Sequence, residues 1–305
     1  EELSVSAQGR TIEAAVFHDP AAGVEIAEVQ LAPPRAGEVE VAIAAAGVCH
    51  SDLHVIRGEW AVEVPVVLGH EGAGVVTALG EGVTGLEVGD HVVLSWVPQC
   101  GECRQCRLGR VWQCELAASV VAVGGTLFDG TSRFSRDGAP IHHYLGVSSF
   151  AERVVVPASG AIRVRRDAPL DVIAVVGCAV ATGVGAVRNT AGVEEGANVA
   201  VIGCGGVGLS CIQGARIAKA GRILAVDVNP AKLEVAARLG ATDVLDVSGG
   251  GAIERMREAV PDGLDYVFDA IGKIETTEQA IGALGLGGAA VVVGLPPTGA
   301  RAQFE

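Results

Sequence analysis

Seven residues whose types suit metal binding stand out first. Cys100, Cys103, Cys106 and Cys114 are separated by two, two and seven residues. Four thiolates this close in sequence can wrap one ion in a closed tetrahedral sulfur shell, the arrangement of a structural zinc site. Paired disulfides or a redox Cys-x-x-Cys are the alternatives, but three equally spaced cysteines plus a fourth suit a single ion better than two bridges. Cys49, His70 and Cys178 lie far apart in the chain, each in a Gly-flanked or apolar context. Together they form a Cys2His set, which leaves the fourth position of a catalytic zinc open to water or substrate. Taken singly, each also reads as a small buried cysteine or a satisfied core histidine.

The Gly-rich stretch Gly203-Cys-Gly205-Gly206-Val207-Gly208 is the third such feature. It follows an apolar run, Asn198 to Ile202, and opens a helix-period segment from Val207 to Ala220. Glycines there allow a tight turn and close approach of a pyrophosphate to the helix N-terminus. Asp227 ends the next apolar run, where its carboxylate can accept from the adenosine ribose hydroxyls and repel a 2′-phosphate. The cofactor is therefore expected to be NAD rather than NADP. Asn229-Pro230 supplies a separate helix start, so Asp227 is not needed as a cap.

Positioning these groups requires two kinds of element. Thr11 to Phe17, Val24 to Gln30 and Glu38 to Ile43 alternate polar and apolar residues and read as antiparallel strands, broken by Pro33-Pro34 and glycines. Beyond about residue 195, apolar runs at Asn198 to Ile202, Arg222 to Val226, Thr242 to Leu245, Tyr266 to Asp269 and Ala289 to Val293 alternate with helical segments, the signature of a parallel βαβ domain. Two domains are expected, residues 1–180 and 181–305, with the cysteine lobe at about 96–115.

Composition narrows the class. A net charge of −14 argues against nucleic acid or an anionic membrane as a partner. The longest apolar stretch, Val172 to Val187, contains three glycines and is shorter than the roughly twenty residues of a membrane span. Of the eight cysteines, six are assignable to metal, which fits a reducing, cytoplasmic setting and leaves Cys204 and Cys211 as small core residues.

The order of Cys49-His50-Ser51-Asp52-Leu53-His54, Gly69-His70-Glu71, the four-cysteine lobe and the Gly-rich loop resembles the zinc-containing medium-chain alcohol dehydrogenases, from about residue 12 to the end of the chain. The resemblance implies an N-terminal GroES-like antiparallel β catalytic domain followed by a Rossmann doubly wound parallel sheet, two Zn2+ per chain, and NAD. It implies reversible oxidation of primary, and some secondary, alcohols to aldehydes or ketones. In such enzymes Ser51 contacts the substrate oxygen and the proton moves on through the nicotinamide ribose to His54. His50 contacts the cofactor pyrophosphate, Asp52 orients His70, and Glu71 stands behind the metal. Thr182 and Val207 come near the nicotinamide, Lys232 near the adenosine ribose, and Ile271 and Val293 on the cofactor cleft wall. Trp96, Tyr144, Leu145 and Leu295 surround the substrate channel, where the indole favours slender primary alcohols.

Residues 124 to 146 match the longer loop of the subgroup that includes the glutathione-dependent formaldehyde dehydrogenases. An S-hydroxymethyl thiol is therefore the alternative substrate. Against glutathione itself, Glu115-Leu-Ala-Ala-Ser-Val offers no arginine for its carboxylate, and His54 stands where that class lacks a histidine relay. A zinc- and NAD-binding redox sensor or structural homologue is the non-enzymatic alternative, and a zinc-free quinone reductase is disfavoured by the seven ligand candidates. Similar enzymes continue for several tens of residues, so a C-terminal return segment is expected to be absent here. Arg301 to Glu305 lies where relatives pair strands across a dimer interface, which predicts a homodimer or homotetramer.

Overall fold

The computed structural model describes residues 9–296 and 299–304. The chain divides into two compact units, Glu1–Cys178 and Ala179–Glu305.

The first unit is built from β1 (Arg10–Asp19), β2 (Gly23–Leu31), β3 (Glu38–Gly47), α1 (His50–Ile56), β4 (Val66–Val67), β5 (Glu71–Leu79), β6 (His91–Leu94), α2 (Arg104–Arg107), β7 (Phe134–Arg136), β8 (Ala139–His143), β9 (Arg153–Pro157), β10 (Ala161–Arg163) and α3 (Leu170–Ile173). In β1 the buried Ile12, Ala14 and Val16 alternate with the exposed Thr11 and Glu13, the period of a half-buried strand. Strands β1, β2, β7, β8 and β4 close a barrel, and a second sheet runs β10-β6-β5-β3-β9. Pairing is antiparallel except at the two-residue contact of β4 with β8, which is parallel. Val29, Leu31, Val39, Val41, Val92 and Val154 fill the core shared by both sheets. A buried ion pair ties the loop before β7 to this core. Arg133, fully buried, grips Glu38 through Nε at 2.8 Å and reaches Asp129 through an Nη at 2.7 Å.

The second unit contains α4 (Ala179–Gly185), β11 (Asn198–Ile202), α5 (Gly206–Ile217), β12 (Arg222–Asp227), α6 (Pro230–Leu239), β13 (Asp243–Asp246), α7 (Ala252–Ala259), β14 (Leu264–Asp269), α8 (Ile274–Gly282) and β15 (Leu284–Val292). Its sheet, ordered β13-β12-β11-β14-β15, is parallel throughout. Val199, Ala200, Val201 and Ile202 of β11 are all buried because helices cover both faces. This is the expected Rossmann arrangement. Strand β15 begins five residues before the apolar run that announced it, because Leu284 already pairs with Leu264. Arg301 to Phe304, at the stretch expected to pair across a dimer, form no strand, and Glu305 lies outside the described residues. Among the described residues no single helix is long and apolar enough to cross a membrane.

Candidate metal centres and nucleotide loop

The lobe cysteines converge. One ligand atom from each of Cys100, Cys103, Cys106 and Cys114 lies within 4.8 Å of the others. Backbone amides aim at the sulfurs: Cys100 N–H donates to Cys114 Sγ at 3.4 Å, Cys103 N–H to Cys100 Sγ at 3.3 Å, and Cys106 N–H to Cys103 Sγ at 3.4 Å. The amide of Cys106, with that of Glu115, holds the Cys103 thiol down to about 6, whereas burial pushes the Cys106 thiol up to about 12. Four such sulfurs fit zinc.

Cys49, His70, Glu71 and Cys178 form a second cluster, their ligand atoms again within 4.8 Å of one another. Three separate pieces of the first unit deliver them. Cys49 is the N-cap of α1, whose helix begins at His50. His70 follows Gly69, which sits at φ +88 and packs so closely on Ser149 and Phe150 that a side chain would collide with both. Glu71 opens β5. Cys178 follows a 3-10 turn at Ala174–Gly177, where Gly177 lies directly against the Leu94 carbonyl at the end of β6. Two sulfurs and one imidazole are a zinc donor set, and the buried Glu71 carboxylate, expected behind the metal, lies within the same 4.8 Å. A shared proton with Cys178, and the neighbouring His70, hold the Cys49 thiol down to about 3, whereas the Cys178 thiol is pushed up. Burial works against charge on His70, but hydrogen bonds with Asp52 and Cys49 outweigh it and raise the imidazole to about 9. A bound cation takes over the role of these protons.

Asp52 organises the cluster from α1. Its Oδ2 accepts the Cys49 N–H at 3.0 Å, and its Oδ1 meets His70 Nδ1 at 3.3 Å and the Gly69 N–H at 3.1 Å. Ser51 Oγ lies 3.7 Å from Cys49 Sγ. Tyr144 is buried, its ring edge-on to His70 at 5.6 Å, and its hydroxyl donates to the Ser51 carbonyl at 3.1 Å. Tyr144 and Leu145 belong to a small core with Phe17, Val55 and Leu68, so the tyrosine is a packed wall rather than an open surface. Trp96 and His50 are both exposed. His54 Nδ1 hydrogen-bonds Glu59, and its ring stacks on Trp60 at 4.5 Å. Neither of these two neighbours was singled out in the sequence, although Gly58 is a helix-stop signal just ahead of them.

In the second unit the glycines behave differently from one another. Gly203 adopts φ +94, and a side chain at Gly208 would collide with the Gly203 carbonyl, so these two shape the turn. Gly205 is the N-cap of α5, and a methyl group there would meet nothing within 4 Å. That open cradle at a helix N-terminus suits a pyrophosphate. Asp227 is buried, with Oδ2 accepting the Cys204 N–H at 2.7 Å and Oδ1 the Asn229 N–H at 2.9 Å. Asn229, not Asp227, caps α6. Val207 and Thr182 are half-buried, on α5 and α4, which pack closely at Gly183. Lys232, Ile271 and Leu295 are exposed and Val293 is half-buried. These features fit NAD.

Comparison with known proteins gives the same account. Residues 35–166 match the family described as alcohol dehydrogenase GroES-like domain, and residues 206–305 match zinc-binding dehydrogenase. An S-(hydroxymethyl)glutathione dehydrogenase of Escherichia coli O1:K1 / APEC is 42% identical over 292 residues, covering 94% of this chain and 78% of that protein. Among solved structures, an alcohol dehydrogenase zinc-binding domain protein from Burkholderia ambifaria superposes with TM-score 0.92 at 38% identity, over 97% of this chain and 80% of that one. Benzyl alcohol dehydrogenase from Acinetobacter calcoaceticus gives 0.90 at 34% identity, over the same shares. With two sets of zinc donors, a Rossmann sheet and relatives this similar along nearly its whole length, the chain belongs to the zinc-containing medium-chain alcohol dehydrogenase family of oxidoreductases.

Proposed function

We propose that this protein oxidises primary alcohols reversibly to aldehydes with NAD, and accepts those secondary alcohols that fit. The observation that carries the reading is the convergence of Cys49, His70 and Cys178 beside Ser51, in the first turn of a helix also bearing His54. Those three residues would hold zinc, which when bound would lower the pKa of a substrate hydroxyl towards neutrality, and the Gly-rich loop would hold NAD as hydride acceptor. Ser51 receives the hydroxyl proton through its Oγ. His54, one helical turn along α1, passes it towards solvent. Asp52 keeps His70 oriented, and Asp227 selects NAD over NADP by charge. Cys100, Cys103, Cys106 and Cys114 hold the second, structural zinc. His50, Thr182, Val207, Lys232, Ile271 and Val293 serve the cofactor, and Trp96, Tyr144, Leu145 and Leu295 the substrate.

A thiol adduct is the second reading, favoured by the 42% identical S-(hydroxymethyl)glutathione dehydrogenase. Its hydroxymethyl group would use the same residues. NAD reduction measured with ethanol, hexanol, benzyl alcohol, cyclohexanol, and formaldehyde with and without glutathione separates the readings. Turnover of benzyl alcohol or hexanol above cyclohexanol supports the first. Oxidation seen only with formaldehyde and thiol supports the second, and no turnover with two bound zincs supports a binding role alone. The eight unpaired cysteines support a reducing, cytoplasmic setting. We further propose a homodimer or homotetramer, which sedimentation checks.

A further inference from the structure

We propose that Glu59 is a positioning residue for His54, holding the Nδ1 proton so that Nε2 is the nitrogen that exchanges the relayed proton. This rests on the proton-relay reading above.

The end of α1 determines the geometry. Arg57 is the C-cap, Gly58 adopts φ +70, the Gly58 N–H donates to the Val55 carbonyl at 2.9 Å and the Glu59 N–H to the His54 carbonyl at 2.8 Å. This pair of bonds is the Schellman motif, which turns the chain back so that the residue after the glycine emerges over the third residue from the helix end. Here those residues are Glu59 and His54, and the Glu59 carboxylate hydrogen-bonds His54 Nδ1. The Trp60 N–H also donates to the His54 carbonyl, at 3.3 Å, and this brings the indole flat against the imidazole, with rings 4.5 Å apart and 19° from parallel. His50 meets the ring edge-on at 4.7 Å.

An ionised carboxylate only accepts hydrogen bonds, so the imidazole must donate from Nδ1 and carry its lone pair on Nε2. Stacking on Trp60 prevents the ring from exchanging the two nitrogens. The proton arrives at Nε2 and leaves from Nε2 to water. The Nδ1 proton stays on the bond to Glu59, whose negative charge offsets the transient imidazolium. Among the described residues, Glu59 and His50 are the titratable groups in recorded contact with the His54 ring.

The test uses the zinc-loaded protein and Glu59→Met, which removes the acceptor while conserving length. Long-range 1H–15N correlation should show His54 as the Nδ1–H tautomer in the wild type and a mixture in Glu59→Met. The variant should keep two zincs and an unchanged KM for alcohol, and lose roughly tenfold in kcat near neutral pH, recovering as pH rises. Added to His54→Gln, Glu59→Met should cost nothing more. Glu59→Gln, which retains an oxygen acceptor without charge, should keep the tautomer and lose less. A Glu59→Met protein with the wild-type tautomer and pH profile, or an additive loss on His54→Gln, overturns the proposal. If the wild type oxidises neither alcohols nor thiol adducts, the relay reading fails by itself, whereas the tautomer measured in the two proteins still decides what Glu59 does to His54.

Discussion

Asp52 and His70 meet at 3.3 Å, Oδ1 to Nδ1, with both side chains almost wholly excluded from solvent. The same carboxylate takes the Cys49 backbone N–H, so one buried acid aligns two residues of the mixed cluster. With Nδ1 committed to Asp52, Nε2 is the His70 nitrogen that would hold an ion.

Asp52→Asn should therefore weaken zinc at this cluster by about 10- to 100-fold while sparing the four-cysteine site. Chelator competition followed by metal analysis would read this as one zinc lost early and one retained. Simultaneous loss of both zincs would refute it.

Two glycines of the nucleotide loop should separate folding from cofactor binding. Gly208→Ala drives a methyl into the Gly203 carbonyl, so it should lower Tm by several degrees, equivalent to about 1–3 kcal/mol of overpacking. Gly205→Ala sits at an ordinary φ of −82 with open space around it, and should leave Tm unchanged yet weaken NAD by filling the cradle. Thermal melts paired with NAD titration distinguish the two.

Asp227→Asn should shift cofactor choice and destabilise the loop together. The carboxylate oxygens accept from Cys204 N–H and Asn229 N–H, and an amide must oppose one of those donors with its own. The cost is about 1–3 kcal/mol, the range for a buried donor left unsatisfied. Loss of the negative charge should raise kcat/KM for NADP relative to NAD. An unchanged ratio would argue that the carboxylate serves the loop alone.

Stability should fall in acid, and Arg133 explains why. Burial opposes ionisation of Asp129, but hydrogen bonds from Thr131 and Arg133 prevail and hold its carboxyl well below the usual range. A folded pKa below the unfolded one means that this contribution is complete above the ordinary carboxylate range of about 4 and is lost as pH falls further. Arg133→Met strands the buried Glu38 and should cost about 3–5 kcal/mol near neutrality, the range for breaking a buried pair. Urea unfolding at pH 7 and at pH 3 should show the gap between wild type and variant narrowing in acid.

How much could be read in advance follows from how local each feature is. Cys100, Cys103, Cys106 and Cys114 share one short segment, so their spacing alone implies a four-sulfur site, and a loop of N–H···S bonds realises it. The Gly203 to Gly208 turn, the acid at Asp227 and the Asn229-Pro230 start were equally legible, because each depends on backbone torsion or capping within a few residues. Parallel strands announced themselves as apolar runs, since both faces are buried.

Other relationships are not written in any local stretch. The approach of Cys49, His70, Glu71 and Cys178 depends on a helix start, a strand start and a 3-10 turn brought together by long-range sheet pairing, and spacing along the chain carries no information about that distance. Residue types and local spacing set which chemistries the protein could host: thiolate and imidazole donors, a pyrophosphate-sized glycine turn, and a serine and histidine one turn apart. Long-range packing decided that Asp52, already bonded to the nearby Cys49, also reaches His70, and that Glu71 lies within ligand distance of the cluster, whereas Glu59 returns to His54 through the local turn at Gly58. Hydrogen-bond partners are chosen by distances near 3 Å, and such distances exist only once the strands and turns that carry both partners have packed.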